Sequence, residues 1–180
     1  MADVPQQIEA EDLAGLLNYR RISERIGTAG QPTPEQFAGV RAAGYELVVN
    51  LAMPTSTNAL PGEAALVAAQ GLDYVHIPVV WEAPTLDDLA RFFEVIDRNR
   101  ERRVFVHCAL NMRVSAFVLL YRVIRQGVPL ELASQDLLAI WRPEGVWVDL
   151  MRRALTEHGI ITEGQALPWT LTSPSSPARP

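Results

Sequence analysis

The sequence predicts an α/β fold in which a mixed or mostly parallel sheet is covered by helices. Three observations point there. Short β-branched runs recur, as in Glu46 to Ala52 (ELVVNLA) and Arg103 to His107 (RVFVH). Helix-period segments separate them, which supplies the crossovers that parallel strands need. Beyond Cys108 helical patterns follow one another with no further strand, so the sheet is complete by that point.

Each element has its own signal. Residues 1–19 read as an N-terminal lead-in, 20–160 as a single domain and 161–180 as a Pro/Ser-rich tail on which Trp169 can still dock. Arg21 to Gly30, with Ile22 and Ile26, reads as a short edge strand running into the turn Gly30-Gln31-Pro32. Thr33-Pro34-Glu35-Gln36 is a capping box with proline at the first helical position, and its helix stops at Gly44. Residues 53–62 form a polar loop before a short Ala-rich helix that ends at Gly71. Asp73 to Val80 is a third strand. Thr85 opens a helix with Asp87 and Asp88 as first-turn charges, and Leu89, Phe92, Phe93 and Ile96 mark its buried face. The strand Arg103 to His107 is read as central. Val114 to Gln126 is a long helix, and Leu130 to Trp141 and Val146 to Glu157 are two more.

Composition narrows the function. A chain of 180 residues, 48% hydrophobic, suits one compact domain. No apolar run reaches the roughly 18 residues of a membrane span. The polar, acidic N-terminus carries no secretory pattern, so a cytoplasmic location is expected, with no membrane partner. A net charge of −5 lacks the basic footprint of a nucleic-acid binder. All 16 basic residues are Arg, which excludes a Schiff-base lysine and a phosphate-loop lysine. The single cysteine, Cys108, rules out an intramolecular disulfide and a multi-cysteine metal site. No metal or organic cofactor is expected.

Cys108 stands where the central strand turns into the long helix, and ligands of open α/β sheets bind at the carboxyl ends of strands. Backbone N–H groups converge in such a turn, and the helix N-terminus adds partial positive charge. The same field that holds an anion favours a thiolate. Arg113 adds a planar fork for two phosphoryl oxygens. Ser115 can hydrogen-bond the sulfur, and His107 can orient the loop. These parts suit covalent catalysis in which Cys108 attacks, a phosphocysteine forms and water releases it.

The run His107-Cys108-Ala109-Leu110-Asn111-Met112-Arg113-Val114-Ser115 resembles the signature of the protein tyrosine and dual-specificity phosphatases: His-Cys, five residues, then Arg followed by Ser or Thr. Tyr121 and Arg125-Gln126 on the next helix, Val48-Val49-Asn50-Leu51, and Thr28-Ala29-Gly30-Gln31-Pro32 are similar to a bacterial branch of that superfamily. The resemblance covers roughly residues 20–157. It implies a small sheet of four or five strands with helices on both faces, a phosphorylated or other anionic substrate, and substrate binding by His107, Ala109, Leu110, Asn111, Met112 and Ser115.

Three departures bear on the chemistry. Only four residues separate Cys108 from Arg113, the glycine usual in mid-loop is absent, and Val114 follows the arginine. Either Arg113 is the phosphate-binding arginine of a loop short by one amide, or the loop keeps its length and Val114 occupies the arginine position. The helix match favours the first. The general acid of the family is an Asp on an earlier loop. The matching stretch Val79-Val80-Trp81-Glu82-Ala83-Pro84 has no Asp, and Glu82 is its one carboxylate. The expected function is phosphomonoester hydrolysis with Cys108 as nucleophile, Arg113 as phosphoryl ligand and Glu82 as acid. A shortened loop also fits a persulfide-handling sulfurtransferase, and a non-catalytic anion-binding module is the third reading.

Overall fold

The structure is a computed structural model and describes residue 13 and residues 15–170. Five strands form one sheet: β1 (Arg20–Arg21), β2 (Ile26–Ala29), β3 (Leu47–Asn50), β4 (Asp73–His76) and β5 (Val104–His107). Their spatial order is β1-β2-β5-β3-β4, and only the β1–β2 pair is antiparallel. The expected mostly parallel α/β fold is therefore present, and β5 is its central strand.

Six helices lie on the two faces among the described residues. They are α1 (Gln36–Ala42), α2 (Glu63–Ala69), α3 (Leu86–Arg98), α4 (Met112–Gln126), α5 (Leu130–Leu138) and α6 (Val146–Glu157). Alternation along each strand divides the core between the faces. Val104, Val106 and Cys108 join the larger cluster, built with Phe92, Phe117 and Trp147 of α3, α4 and α6. Phe105 joins the smaller cluster, with Phe37 and Val40 of α1 and Val67 of α2. Helix α4 is buried from Arg113 to Tyr121 because it runs under the sheet and against both α5 and α6. No helix among the described residues is long and apolar enough to cross a membrane.

Several boundaries differ from the sequence reading. Arg21 to Gly30 is not one edge strand. It is a hairpin whose turn at Ser23–Arg25 leaves β1 at the edge and puts β2 inside, parallel to β5. All four β2 residues are buried, and a Cβ on Gly27 would lie 2.1 Å from the Tyr45 hydroxyl, so glycine admits that ring. The Thr33–Gln36 capping box is present: Thr33 N–H donates to Gln36 Oε1 at 2.9 Å and Gln36 N–H to Thr33 Oγ1 at 3.4 Å. The regular helix begins only at its far end, Gln36. Thr85 and Asp88 form a full capping box on α3. Helix α5 ends at Leu138 rather than Trp141. Helix α4 begins at Met112, two residues before the expected start, which places Arg113 in its first turn.

Both ends of the described chain contribute to the core. Leu13 and Leu16 are buried in the smaller cluster. Ile161, Leu167 and Trp169 are buried in the larger one, and Arg142 Nη1 donates to Trp169 O at 2.8 Å. Trp169 docks as expected. Residues 1–12, 14 and 171–180, which include most of the lead-in and half of the tail, lie outside the described residues.

Candidate active site

The carboxyl ends of β2, β3, β4 and β5 point the same way, and their loops meet around Cys108. Beyond His76 the chain stays extended. Ile77 N–H donates to Asn50 O and Val79 N–H to Leu51 O, which carries Trp81 and Glu82 over the loop that follows β5.

The 108–113 loop is held by its carbonyls. Ala109 O accepts from Gln31 N–H at 3.1 Å and from Asn58 Nδ2 at 2.9 Å. Leu110 O accepts from Asn18 Nδ2 at 3.0 Å. A Cβ on Gly30 would come within 2.9 Å of Ala109 O, so that glycine admits the loop against the β2 end. An antiparallel bridge between Gly30 and Leu110 seats the turn against the end of β2. The amides of Met112 and Arg113 are free of helical partners, since the first α4 bond runs from Ser115 N–H to Asn111 O. Asn111 has φ +66°, a left-handed conformation in which a side chain is tolerated chiefly on Asn and Asp. It ends the loop where a glycine was missed in the sequence. Its Nδ2 donates to Asn18 O at 2.8 Å and to Thr28 Oγ1 at 3.0 Å.

Cys108 is fully buried, and Arg113 is 8% exposed. Arg113 Nε donates to Val79 O at 2.9 Å, and its guanidinium carbon lies 5.3 Å from the centre of the Trp81 ring. Its two terminal nitrogens have no partner among the described residues, and no carboxylate there pairs with it. Those nitrogens are not sealed off but open onto a cavity, where an anion could reach them. Cys108 and Arg113 line one cavity of about 430 Å³ with Ala109, Leu110 and Met112. Its other wall is Ser56, Thr57, Trp81 and Glu82. Glu82 is exposed and its carboxylate is unbonded among the described residues. Arg113 is the one cation of this lining and Glu82 the one anion.

The remaining expected site residues are placed elsewhere. His107 is fully buried on the smaller-cluster face, edge-on to Phe37, with Nε2 2.7 Å from Glu63 Oε1 and Nδ1 3.4 Å from Cys108 O. Ser115 Oγ donates to Met112 O at 2.9 Å and accepts from Trp141 Nε1 at 3.1 Å. The Asn111 side chain turns toward Asn18 and Thr28. The structure thus brings together Cys108, Arg113, Glu82, Ala109, Leu110 and Met112 around one cavity, and sets His107, Ser115 and the Asn111 side chain behind it.

Sequence reasoning passed over Ser56, Thr57 and Asn58, although a polar run at the carboxyl end of a buried strand is where such folds place ligand contacts. It also passed over Glu63, for which the signal is weak, because a glutamate opening a helix is ordinary. Here that glutamate is buried. Burial pushes its carboxyl up, but the His107 hydrogen bond and charge, with the Gln31 hydrogen bond and the nearby Tyr74 hydroxyl, outweigh this and hold it below its ordinary value. Burial, aided by the charge of Glu63, pushes the Tyr74 hydroxyl up to about 12. Among the described residues no cluster of His, Cys, Asp and Glu is placed to hold a metal ion.

The sequence and fold resemble those of known proteins. A family model described as DSP-PTPase phosphatase fused to NAD+ kinase matches residues 11–142. A DUF442 protein of Shewanella putrefaciens CN-32 is 31% identical, with a TM-score of 0.77 over 83% of this chain and 98% of that one. Tk-PTP shares the fold at 21% identity, with a TM-score of 0.63 over 78% of this chain and 95% of that one. A Beta-lactamase hydrolase-like protein of Xylella fastidiosa is 32% identical over 106 residues, 57% of this chain and 24% of the relative. The chain thus spans about a quarter of the length of that curated relative. With a β-strand, Cys108 turn, Arg113 helix centre on a five-stranded sheet and a family match over residues 11–142, this chain belongs to the DSP-PTPase phosphatase family within the protein tyrosine and dual-specificity phosphatases.

Proposed function

We propose that the domain, taken as residues 20–160, hydrolyses phosphate monoesters through a phosphocysteine on Cys108. The observation that carries this reading is the pairing, in one cavity, of the single thiol with a guanidinium that is 8% exposed and whose terminal nitrogens have no partner among the described residues. A phosphoryl dianion completes that set. Arg113 would take two non-bridging oxygens in a bidentate contact, and the amides of Ala109 to Arg113 would take the rest. The Cys108 thiolate attacks phosphorus as the bond to the leaving oxygen breaks. Glu82, on the opposite wall, gives its proton to that oxygen. Water then attacks the phosphocysteine, Glu82 takes a proton from it, and thiolate and phosphate are released. The reaction uses side chains and backbone amides only. We place it in the cytoplasm, where a free thiol persists.

Turnover of phenyl phosphate by the parent, Cys108→Ser and Arg113→Met tests the reading. Both variants should lose at least about 10²-fold in kcat/KM, the scale of removing one charge-stabilising donor. Activity equal to the parent in Cys108→Ser would place the reaction elsewhere.

The four-residue spacing from Cys108 to Arg113 favours a second reading. A cradle short by one amide suits a smaller group, and a persulfide sulfur on Cys108 is such a group. Sulfur transfer from thiosulfate to cyanide, dependent on Cys108 and exceeding phosphatase turnover, would select it.

A further inference from the structure

Glu63 opens α2, is only 5% exposed, and takes no part in the reaction proposed above. Its carboxylate collects three donors. They are His107 Nε2 at 2.7 Å, Gln31 Nε2 at 2.7 Å and Asn50 Nδ2 at 3.1 Å. These come from the ends of β5, β2 and β3, three neighbouring parallel strands. Each donor has a second contact near the catalytic turn. His107 Nδ1 lies 3.4 Å from Cys108 O, and Gln31 N–H holds Ala109 O. Asn50 Oδ1 accepts from Ala52 N–H, at the start of the loop whose Asn58 also holds Ala109 O.

A buried carboxylate is a poor device for stability alone, because well-packed apolar residues serve as well without the desolvation cost. What it supplies is geometry, since one rigid acceptor fixes three strand ends relative to one another. We propose that Glu63 is a positioning residue for the Cys108 loop, holding His107 as an imidazolium whose Nδ1–H faces the Cys108 carbonyl and so sets the direction of the amides that follow it. The proposal rests on the phosphatase reading only for its turnover readout.

The test compares the parent with Glu63→Gln, which keeps shape and one acceptor oxygen but loses the charge. Three quantities are measured: kcat and KM for phenyl phosphate, the orthovanadate concentration that halves alkylation of Cys108 by iodoacetamide, and the alkylation rate without vanadate. Cys108 is the only thiol, so alkylation reports on it alone. Misplacing a catalytic group from a distance costs on the order of 10²-fold in rate. The expected result is a kcat loss of that order with KM within about threefold, and vanadate protection weakened at least about tenfold, since vanadate reports transition-state binding. His107→Gln, which presents an amide N–H to Glu63 and nothing to Cys108, should show the same loss. The double variant should lose no more than the larger single loss, because the two residues act in series. Glu63→Gln with parental kcat and vanadate protection but a lower Tm would reduce Glu63 to a stabilising contact, and additive losses would break the link to His107. A parent without phosphatase turnover would defeat the hydrolase reading. The vanadate-free alkylation rate would then still judge Glu63: a tenfold change supports the positioning role and an unchanged rate overturns it.

Discussion

The guanidinium carbon of Arg113 sits 5.3 Å from the centre of the Trp81 ring, while its Nε is held by Val79 O, two residues before that ring. One short stretch thus supplies both a hydrogen bond and an aromatic shelf for the arginine, and it also carries Glu82. The shelf is itself fixed. Trp81 packs against Trp141 at 5.3 Å and Trp147 at 5.1 Å between ring centres, and Trp147 Nε1 donates to Trp81 O at 3.0 Å.

Trp81→Ala should therefore release Arg113. A cation–π contact of this kind contributes about 1–2 kcal/mol when partly desolvated, which is roughly a five- to thirtyfold fall in kcat/KM for an aryl phosphate. Trp81→Phe keeps a ring under the guanidinium and should retain most of the activity. Equal activity in Trp81→Ala and the parent would show that Val79 O alone fixes Arg113.

Asn111 sets the shape of the loop end. Asn111→Gly keeps the left-handed turn and loses the bonds to Asn18 and Thr28, whereas Asn111→Ala loses the bonds and adds backbone strain. Urea unfolding should rank parent above Gly above Ala, with the last step about 1–2 kcal/mol. An Ala variant as stable as the Gly variant would mean that the loop relaxes out of the left-handed region.

The buried Glu63–His107 pair predicts an acid limb. The folded-state value of Glu63 lies below its ordinary 4.5, so the ionised carboxylate stabilises the fold fully above that value. This contribution is lost as pH falls from 4.5 through the lower folded value. Unfolding free energy measured from about pH 6 downward should fall in the parent below the ordinary carboxylate value, and Glu63→Gln should lessen that fall. Parallel pH curves would contradict the assignment.

Much of this was legible in the residues. β-branched runs such as Val48–Val49 and Val104–Val106 announced the central strands, and the Thr85–Asp88 capping box announced α3, because burial and capping are local signals. The Cys108–Arg113 spacing marked the centre of the site for the same reason. What was not legible is long-range. Ile22 and Ile26 gave no hint that a turn between them would pass β2 into the interior, where Gly27 lets Tyr45 approach. Asn111 in place of a loop glycine is readable only once its side-chain partners, Asn18 and Thr28, are known. His107 and Ser115 fit the motif as ligands, yet their hydrogen bonds go to Glu63, Met112 and Trp141, which lie up to 44 positions away.

The most direct measurement of the central claim is the covalent state of Cys108 during turnover. The parent, mixed with phenyl phosphate and quenched in milliseconds to seconds, is digested and the Cys108 peptide is examined by mass spectrometry. The account predicts a phosphoryl group on Cys108 that builds before steady state, persists longer in Glu82→Gln, where the water-activating carboxylate is gone, and is absent in Cys108→Ser. Steady phosphate release with an unmodified Cys108 at every time point would contradict it, as would a Cys108 that takes up sulfur from thiosulfate and never phosphate.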